Sequence, residues 1–503
     1  MTLIVNILNR DFTTPPIKPY DFKVDKLTWS CFGGSDQGII SAYSTADRII
    51  EFSSLIRCPV IIVDHDWEAC WHGYVHQIEI AFDNVIFTVD LDELYNRVQV
   101  RYSFISPDNK LADQSETPFV SNYASRSFYG TRENILYRRN IDDDFAIGLL
   151  ETFITQSAWP GISYLPAKPS TAKLEHQQAK ITLRLSGWFS TLDWRYYQDL
   201  DGLYANHGPG PGVLPFGDGV TSQVAQSFRP GKTVNAKFAY FMLRKVGTPT
   251  SNLTAKLYSS SGGNPGTLLA TSAGIPGADL PAFGYTWFKF TFASAVTLAA
   301  ATRYWIAIDP NTSSALNHYQ LRTDENNNYV QTNEHGRALT TSWVNIPSVT
   351  APNSRPDLYF RVVTIADTGK ILKDIATAGN QFFTGVTSLT TGVTSSPYRD
   401  NAKTCLSEIY ALMNLGTSNH RRVLANVTGS RELVFYEQPE RDDVTGFMDR
   451  HGRFFTHDMK LLPPYRPPIG QNVMLSSHDR VLLPFDFERT PTYFVDRFIY
   501  QPQ

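Results

Sequence analysis

Two histidines with metal-pair spacing are the first residues to weigh, His72 and His76 in Trp71-His72-Gly73-Tyr74-Val75-His76. On a helix, i and i+4 would bring both rings to one ion. Here the surrounding residues alternate apolar and polar, which is strand patterning. At about 3.3 Å per residue the two rings stand ~13 Å apart, too far to share a ligand. Asp64-His65-Asp66 lies nearby in sequence and could contribute, but turn and sheet-edge chemistry is the reading and no metal site is expected. There is no HExxH, GxSxG or P-loop motif. Gly208-Pro209-Gly210-Pro211-Gly212 mimics a phosphate loop, yet its prolines remove the N–H groups a phosphate needs. No pair of carboxylates is marked for acid/base work, and Asn333-Glu334-His335-Gly336 stands alone. No catalytic residue and no cofactor is assigned, and the chain is not read as an enzyme.

Binding chemistry is better represented. Sugar recognition needs flat apolar faces for the C–H side of a ring and amides for its hydroxyls. Tyr319, Tyr329 and Trp343 sit among Asn326, Asn327, Asn328, Gln331 and Asn333 in a stretch of poor strand pattern. Of these, Tyr319, Tyr329, Trp343, Asn326 and Asn328 are the candidate carbohydrate-binding set. Trp287 and Trp305 lie on well-patterned strands and are read as core. Asp218, Asp309 and Asp357 could hold a structural calcium, though Asp at strand ends is ordinary turn chemistry.

The elements that must position these groups divide by composition. The 503 residues carry 45 Lys+Arg and 48 Asp+Glu, a net charge of −3, which argues against a general nucleic-acid binder. Charged residues are only 18%, while aromatics reach 13%, so several cores can be buried and global disorder is excluded. No apolar run approaches the ~18 residues that would cross a bilayer, and a soluble, unprocessed chain is expected. Four scattered cysteines (Cys31, Cys58, Cys70, Cys405) fit buried thiols rather than a disulfide or zinc framework.

Residues 1–207 mix short strands with two predicted helices, Leu91 to Asn96 after Asp90 and Asp142 to Thr155 after its acidic start. A hairpin is predicted over Val75 to Val89, with Phe82-Asp83-Asn84 at its turn, and a strand over Val98 to Phe104. Between 208 and 363 charge is sparse, with seven acidic against twelve basic residues, a local balance of +5. Strand signals recur at Lys237 to Val246, Leu253 to Ser259, Thr286 to Phe292, Tyr304 to Ile308 and Leu358 to Val363. Gly/Pro/Asn clusters separate them, and this pattern predicts a β-sandwich. The Pro/Gly stretch His207 to Gly219 reads as the hinge into it. From 364 to 503 the mixed texture returns, with helices over Thr368 to Thr377 and Ala402 to Leu415, the latter closed by Gly416. Strands follow at Glu432 to Tyr436 and Tyr493 to Tyr500. The whole is predicted to be mainly β with a few helices.

Several runs resemble known families. Ala225-Gln226-Ser227-Phe228, Lys245-Val246-Gly247-Thr248-Pro249, Asn252-Leu253, Gly262-Gly263-Asn264-Pro265-Gly266, Phe288 to Phe292 and Thr302-Arg303-Tyr304-Trp305 resemble a sandwich module of bacteriophage tail proteins. That module is similar to carbohydrate-binding modules in its jelly-roll character. The flanks resemble tail hub or baseplate proteins, through Trp71 to Val75, Leu91-Asp92-Glu93-Leu94, Asn96-Arg97-Val98 and Ser125 to Glu133. Tyr398-Arg399-Asp400, Arg431 to Tyr436 and Pro467-Pro468-Ile469-Gly470 continue that pattern. The resemblance implies a tail-hub-like β-barrel body, 1–207 and 364–503, interrupted by the sandwich at 208–363. It implies a virion tail-tip protein assembled in the host cytoplasm as a homotrimeric ring, with a hexamer as the alternative. Its partners would be the tail tube or distal tail protein, the tape measure, central tip proteins and a host cell-surface polysaccharide. A distal tail ring protein with the same appendage, a tail-associated glycan hydrolase, and a sandwich that only cements subunits stay open.

Overall fold

The structure is a computed structural model that describes residues 3–13, 22–30, 32–45, 49–64, 69–82, 85–103, 115–166, 178–206, 211–311, 314–324, 331, 334–346, 356–399 and 403–438, with short strands at 446–449, 454–456, 480–481 and 497–500. The protein is mainly β with a few helices, and divides into two compact units. One comprises Met1–Tyr197, Leu372–Val393 and Ala402–Gln503; the other comprises Gln198–Ile371 and Thr394–Asn401.

The first unit is built on a twelve-stranded sheet whose centre holds the long strands Phe32–Thr45, Ala69–Phe82 and Gln178–Gly187. In the last of these, Ile181 and Leu183 are fully buried while Lys180 and Arg184 face out, the period-2 alternation of a half-buried strand. Segments far apart in sequence share this sheet. Phe32 and Gly33 pair in parallel with Ala425 and Asn426, and Leu27–Ser30 pair antiparallel with Arg497–Tyr500. A barrel was expected here, but among the described strands the sheet stays open: its end strands Ile4–Ile7 and Gly385–Thr387 do not pair with each other.

A smaller sheet in the same unit pairs Arg97–Ser103 in parallel with Glu133–Arg139. The helix Asp143–Ser157 covers it, packing Ala146 and Leu150 on Val98, Val100 and Tyr102. Asp142 starts that helix by accepting from the Phe145 N–H at 2.8 Å. The helix expected at Leu91–Asn96 does not form. After one turn, closed by Leu94 N–H on the Leu91 carbonyl, Tyr95 N–H donates to the Ser157 carbonyl and the chain is already leaving. Burial of Leu91 and Leu94 is secured by that single turn.

The second unit is a sandwich of two antiparallel sheets. The larger holds Leu203–Asn206, Pro211–Phe216, Val234–Val246, Thr286–Leu298, His318–Asp324 and Phe360–Asp367; the other holds Gln223–Phe228, Asn252–Ser261, Asn264–Thr271, Tyr304–Asp309, Gly336–Leu339 and Trp343–Asn345. Their inner faces bury a common core including Phe216, Phe228, Phe241, Leu257, Phe290, Phe292, Ile306 and Phe360. Sheet pairing begins at Leu203, opposite Val363. The stretch expected as a hinge contains a strand, because Pro211–Phe216 pairs with Tyr319–Asp324 at the sheet edge, where a proline's missing N–H costs no ladder bond.

Candidate functional site

The alternation of the larger sandwich sheet sorts its residues into two faces. On Val234–Val246, Ala239, Phe241 and Leu243 point into the core, so Phe238, Tyr240, Met242 and Arg244 face outward and are partly exposed. On Thr286–Leu298, Phe290 and Phe292 point in and Trp287, Lys289 and Thr291 point out. Tyr240 lies opposite Lys289 on one side and opposite Arg361 on the other, so one row across three strands reads Lys289, Tyr240, Arg361. Met242 and Trp287 form the next row, and Arg244 faces Gln320.

Cations and rings are interleaved on this face. The Arg361 guanidinium lies 4.3 Å from the centre of the Trp287 ring and the Lys289 ammonium 3.9 Å from that of Phe238. Arg322 and Arg244 stand 4.4 Å and 4.9 Å from Tyr285. Gln320 Oε1 accepts from both Arg244 Nε, at 2.6 Å, and the Tyr285 hydroxyl, at 3.2 Å. Burial raises the Tyr285 phenol above its ordinary range, and the two guanidinium groups oppose that rise. Stacking on a ring fixes a guanidinium's plane while leaving its N–H edge open to an oxyanion.

The residues singled out from sequence fall elsewhere. Tyr319 is a core residue, 1% exposed, with its hydroxyl donating to the Ser251 carbonyl at 2.8 Å and its ring against Phe216. It lies on a regular strand, not in a loop, and offers no face to a ligand. Trp343 is half-buried on the other sheet, packed with Tyr258 against Ala225, Trp305 and Ala307. Tyr329, Asn326 and Asn328 lie outside the described residues. Trp305 is fully buried, whereas Trp287, read as core, faces outward. The missed signal was available: Trp287 shares parity with Lys289, and Phe288, Phe290 and Phe292 share the other.

Each candidate ligating group has a partner within the fold. His72 Nε2 donates to the Val427 carbonyl at 3.2 Å, and burial pushes its pKa down to about 4. His76, on the same strand as His72, has its Nε2 2.7 Å from an Asp92 carboxylate oxygen in the turn after the next strand. Asp218 accepts from the N–H groups of Val220 and Thr221, Asp309 pairs with Lys256, and Asp357 accepts from Gln226 at 2.8 Å. Among the described residues no three His, Cys, Asp or Glu side chains group as a metal site. Glu334 is buried and accepts from Arg303 Nε and Nη2 at 2.7 and 3.1 Å, with Arg229 at 3.4 Å, so its carboxylate serves an ion-pair network. Among the described residues no helix is long and apolar enough to cross a membrane.

No known protein family matches this chain, and no curated protein matches it. Among solved structures, it aligns with the mosquito-larvicidal Cry4Aa toxin from Bacillus thuringiensis at 10% identity and a TM-score of 0.16, over 64% of this chain and 57% of that one. It therefore spans under two thirds of that toxin's length. It aligns with infectious bursal disease virus, Gt strain, at 10% identity and a TM-score of 0.17, over 70% of this chain and 80% of that one. At these TM-scores neither likeness carries an argument about fold or function.

Proposed function

We propose that this protein is a structural, non-enzymatic component of a bacteriophage tail tip, forming a ring with copies of itself and presenting its sandwich to host cell-surface glycan. The observation that carries the reading is topological. Strands from before and after the sandwich lie in one sheet of the first unit, Phe32–Gly33 beside Ala425–Asn426, while the sandwich buries a core of its own. A self-contained β-module interrupting a mainly β body is the arrangement that the resemblance to tail hubs with appended modules implies. The low content of charged residues and the high aromatic content suit subunits that bury large apolar interfaces. A closed ring reuses one heterologous interface, and several sandwiches on one ring add avidity to weak sugar contacts.

The test is native mass spectrometry of the purified full chain together with peptide quantification in purified virions. Three copies in both is the expected result. Six copies would select the distal-ring version of the same role. A chain absent from every virion fraction, or monomeric at tens of micromolar, overturns the reading. Release of reducing sugar from purified host cell wall by the full chain would overturn its non-enzymatic part.

A further inference from the structure

We propose that the outer face of the larger sandwich sheet, centred on Tyr240 and Trp287, binds an acidic polysaccharide, one whose sugar rings carry carboxylates. The proposal deepens the glycan-presenting reading and rests on it for its biological setting. Its physical basis is separate.

Charge is the first argument. Lys289, Arg361, Arg322 and Arg244 lie on one face, and among the described residues none of the four has a carboxylate within ion-pair distance. Elsewhere the protein pairs its cations readily: Arg303 and Arg229 on Glu334, Lys256 on Asp309, Lys232 on Asp199. The strands Val234–Val246 and Thr286–Leu298 contain no acidic residue at all. Of the carboxylates on neighbouring strands of this sheet, Asp324 and Asp357 are fully buried and Asp367 is turned to the start of the next helix, where it accepts from Gly369 N–H. Four cations on one sheet face without a counterion among the described residues favour an anionic occupant.

Shape and spacing supply the second argument. Lys289 and Arg361 flank Tyr240 from the two adjacent strands, which places their backbones about 10 Å apart. An extended polymer crossing the strands would meet a cation, an aromatic ring and a second cation in turn. The guanidinium groups of Arg322 and Arg361 have no hydrogen-bond partner among the described residues, and their stacking on Tyr285 and Trp287 holds the fork ready for two-point contact with a carboxylate. Tyr240, Met242 and the rest of the Trp287 ring supply the apolar surface on which the C–H face of a sugar rests. A polyanion without sugar rings uses only half of this surface.

The probe is polygalacturonate, measured against the full chain by interferometry, with dextran, polyphosphate and single-stranded DNA of matched length. Polygalacturonate is expected to bind, to weaken with added salt, and to bind at least tenfold more tightly than the other three. The outward-facing double substitution Arg322→Gln/Arg361→Gln is expected to weaken it by about tenfold or more. Trp287→Ala is expected to weaken it several-fold, and Trp343→Ala, on the opposite sheet, to leave it unchanged. An unchanged melting temperature in each variant shows that the fold is kept. Undiminished binding in the double variant overturns the site. Polyphosphate or DNA bound as tightly as polygalacturonate overturns the saccharide assignment in favour of charge alone. A chain that binds polygalacturonate through these residues yet is absent from virions leaves this site standing and removes the tail-tip reading. A chain present at the tail tip whose double variant adsorbs normally does the reverse.

Discussion

His72 shows how one side chain can tie pH to stability. A carbonyl only accepts, so the contact with Val427 fixes the proton on Nε2, and Nδ1 has no partner among the described residues. With the folded pKa lowered to about 4 from an ordinary 6.5, the unfolded chain takes up the proton first as pH falls. Stability is therefore complete above pH 6.5 and declines toward pH 4, by about 3 kcal/mol at roughly 1.4 kcal/mol per pH unit. Urea unfolding of wild type and His72→Gln at pH 7.5 and 4.5 checks this: the difference between the two proteins should shift by about that amount, and a constant difference would refute it. Glu334 makes a second case. Replacing it with Gln leaves Arg303 and Arg229 around a neutral amide at a buried position, at an expected cost of about 3 kcal/mol read from the sandwich's melting. At this scale the sequence was half legible. His72 and His76 were separable because strand geometry is local, whereas Tyr319 and Trp287 exchanged places between surface and core. The alternation around Tyr319, with Leu321 and Thr323 buried beside it, was present but ended within a few residues.

Two glycines set how closely strands approach. Gly73 and Gly187 are register partners, and a Cβ on Gly187 would sit 1.7 Å from the Ser35 carbonyl oxygen, one on Gly73 2.2 Å from that of Ser186. Gly187 has φ −70°, which any residue adopts, so the constraint is space alone. Gly187→Ala is expected to destabilise the first unit by more than 3 kcal/mol, since backbone must move, and chemical denaturation measures it. By contrast, Asp142→Ala removes one helix cap and should cost about 1 kcal/mol in the same assay. Elements with local signals were readable: the helices Asp143–Ser157 and Cys405–Met413, and the strands of the sandwich, follow from caps and periodicity. Gly416 at φ +75° follows the latter helix as its spacing suggests. Elements set by distant partners were not. Pro211–Phe216 has turn composition and becomes a strand only because Tyr319–Asp324 lies alongside it. Leu91–Asn96 has a cap and apolar spacing, yet the Ser157 carbonyl draws Tyr95 out of any helix.

At the scale of the whole molecule, the chain leaves its first unit, completes a sandwich, returns, and leaves again for Thr394–Asn401 before the last segment. That second excursion adds Thr394 and Ser395 beside Asp367 and Ala366, and the Tyr398 backbone packs where a Cβ on Gly202 would stand. The sandwich therefore takes its residues from two separate stretches of sequence, and a fragment covering one of them lacks this closing strand. Each unit nevertheless buries its own apolar set: Leu27, Ile40, Val60, Trp71 and Ile181 in one, Phe216, Phe241, Phe290 and Phe360 in the other, all essentially inaccessible. Cooperativity follows shared cores, so two cores predict two unfolding transitions in calorimetry of the full chain. Two substitutions assign them. Gly187→Ala should lower one transition and Glu334→Gln the other, each leaving its counterpart within about 1 °C, since the two residues belong to different units. Acid should lower the transition that Gly187→Ala moves, because His72 belongs to that core. A single transition lowered equally by both substitutions would mean that the units unfold as one, and the inserted-module architecture would then have no thermodynamic counterpart.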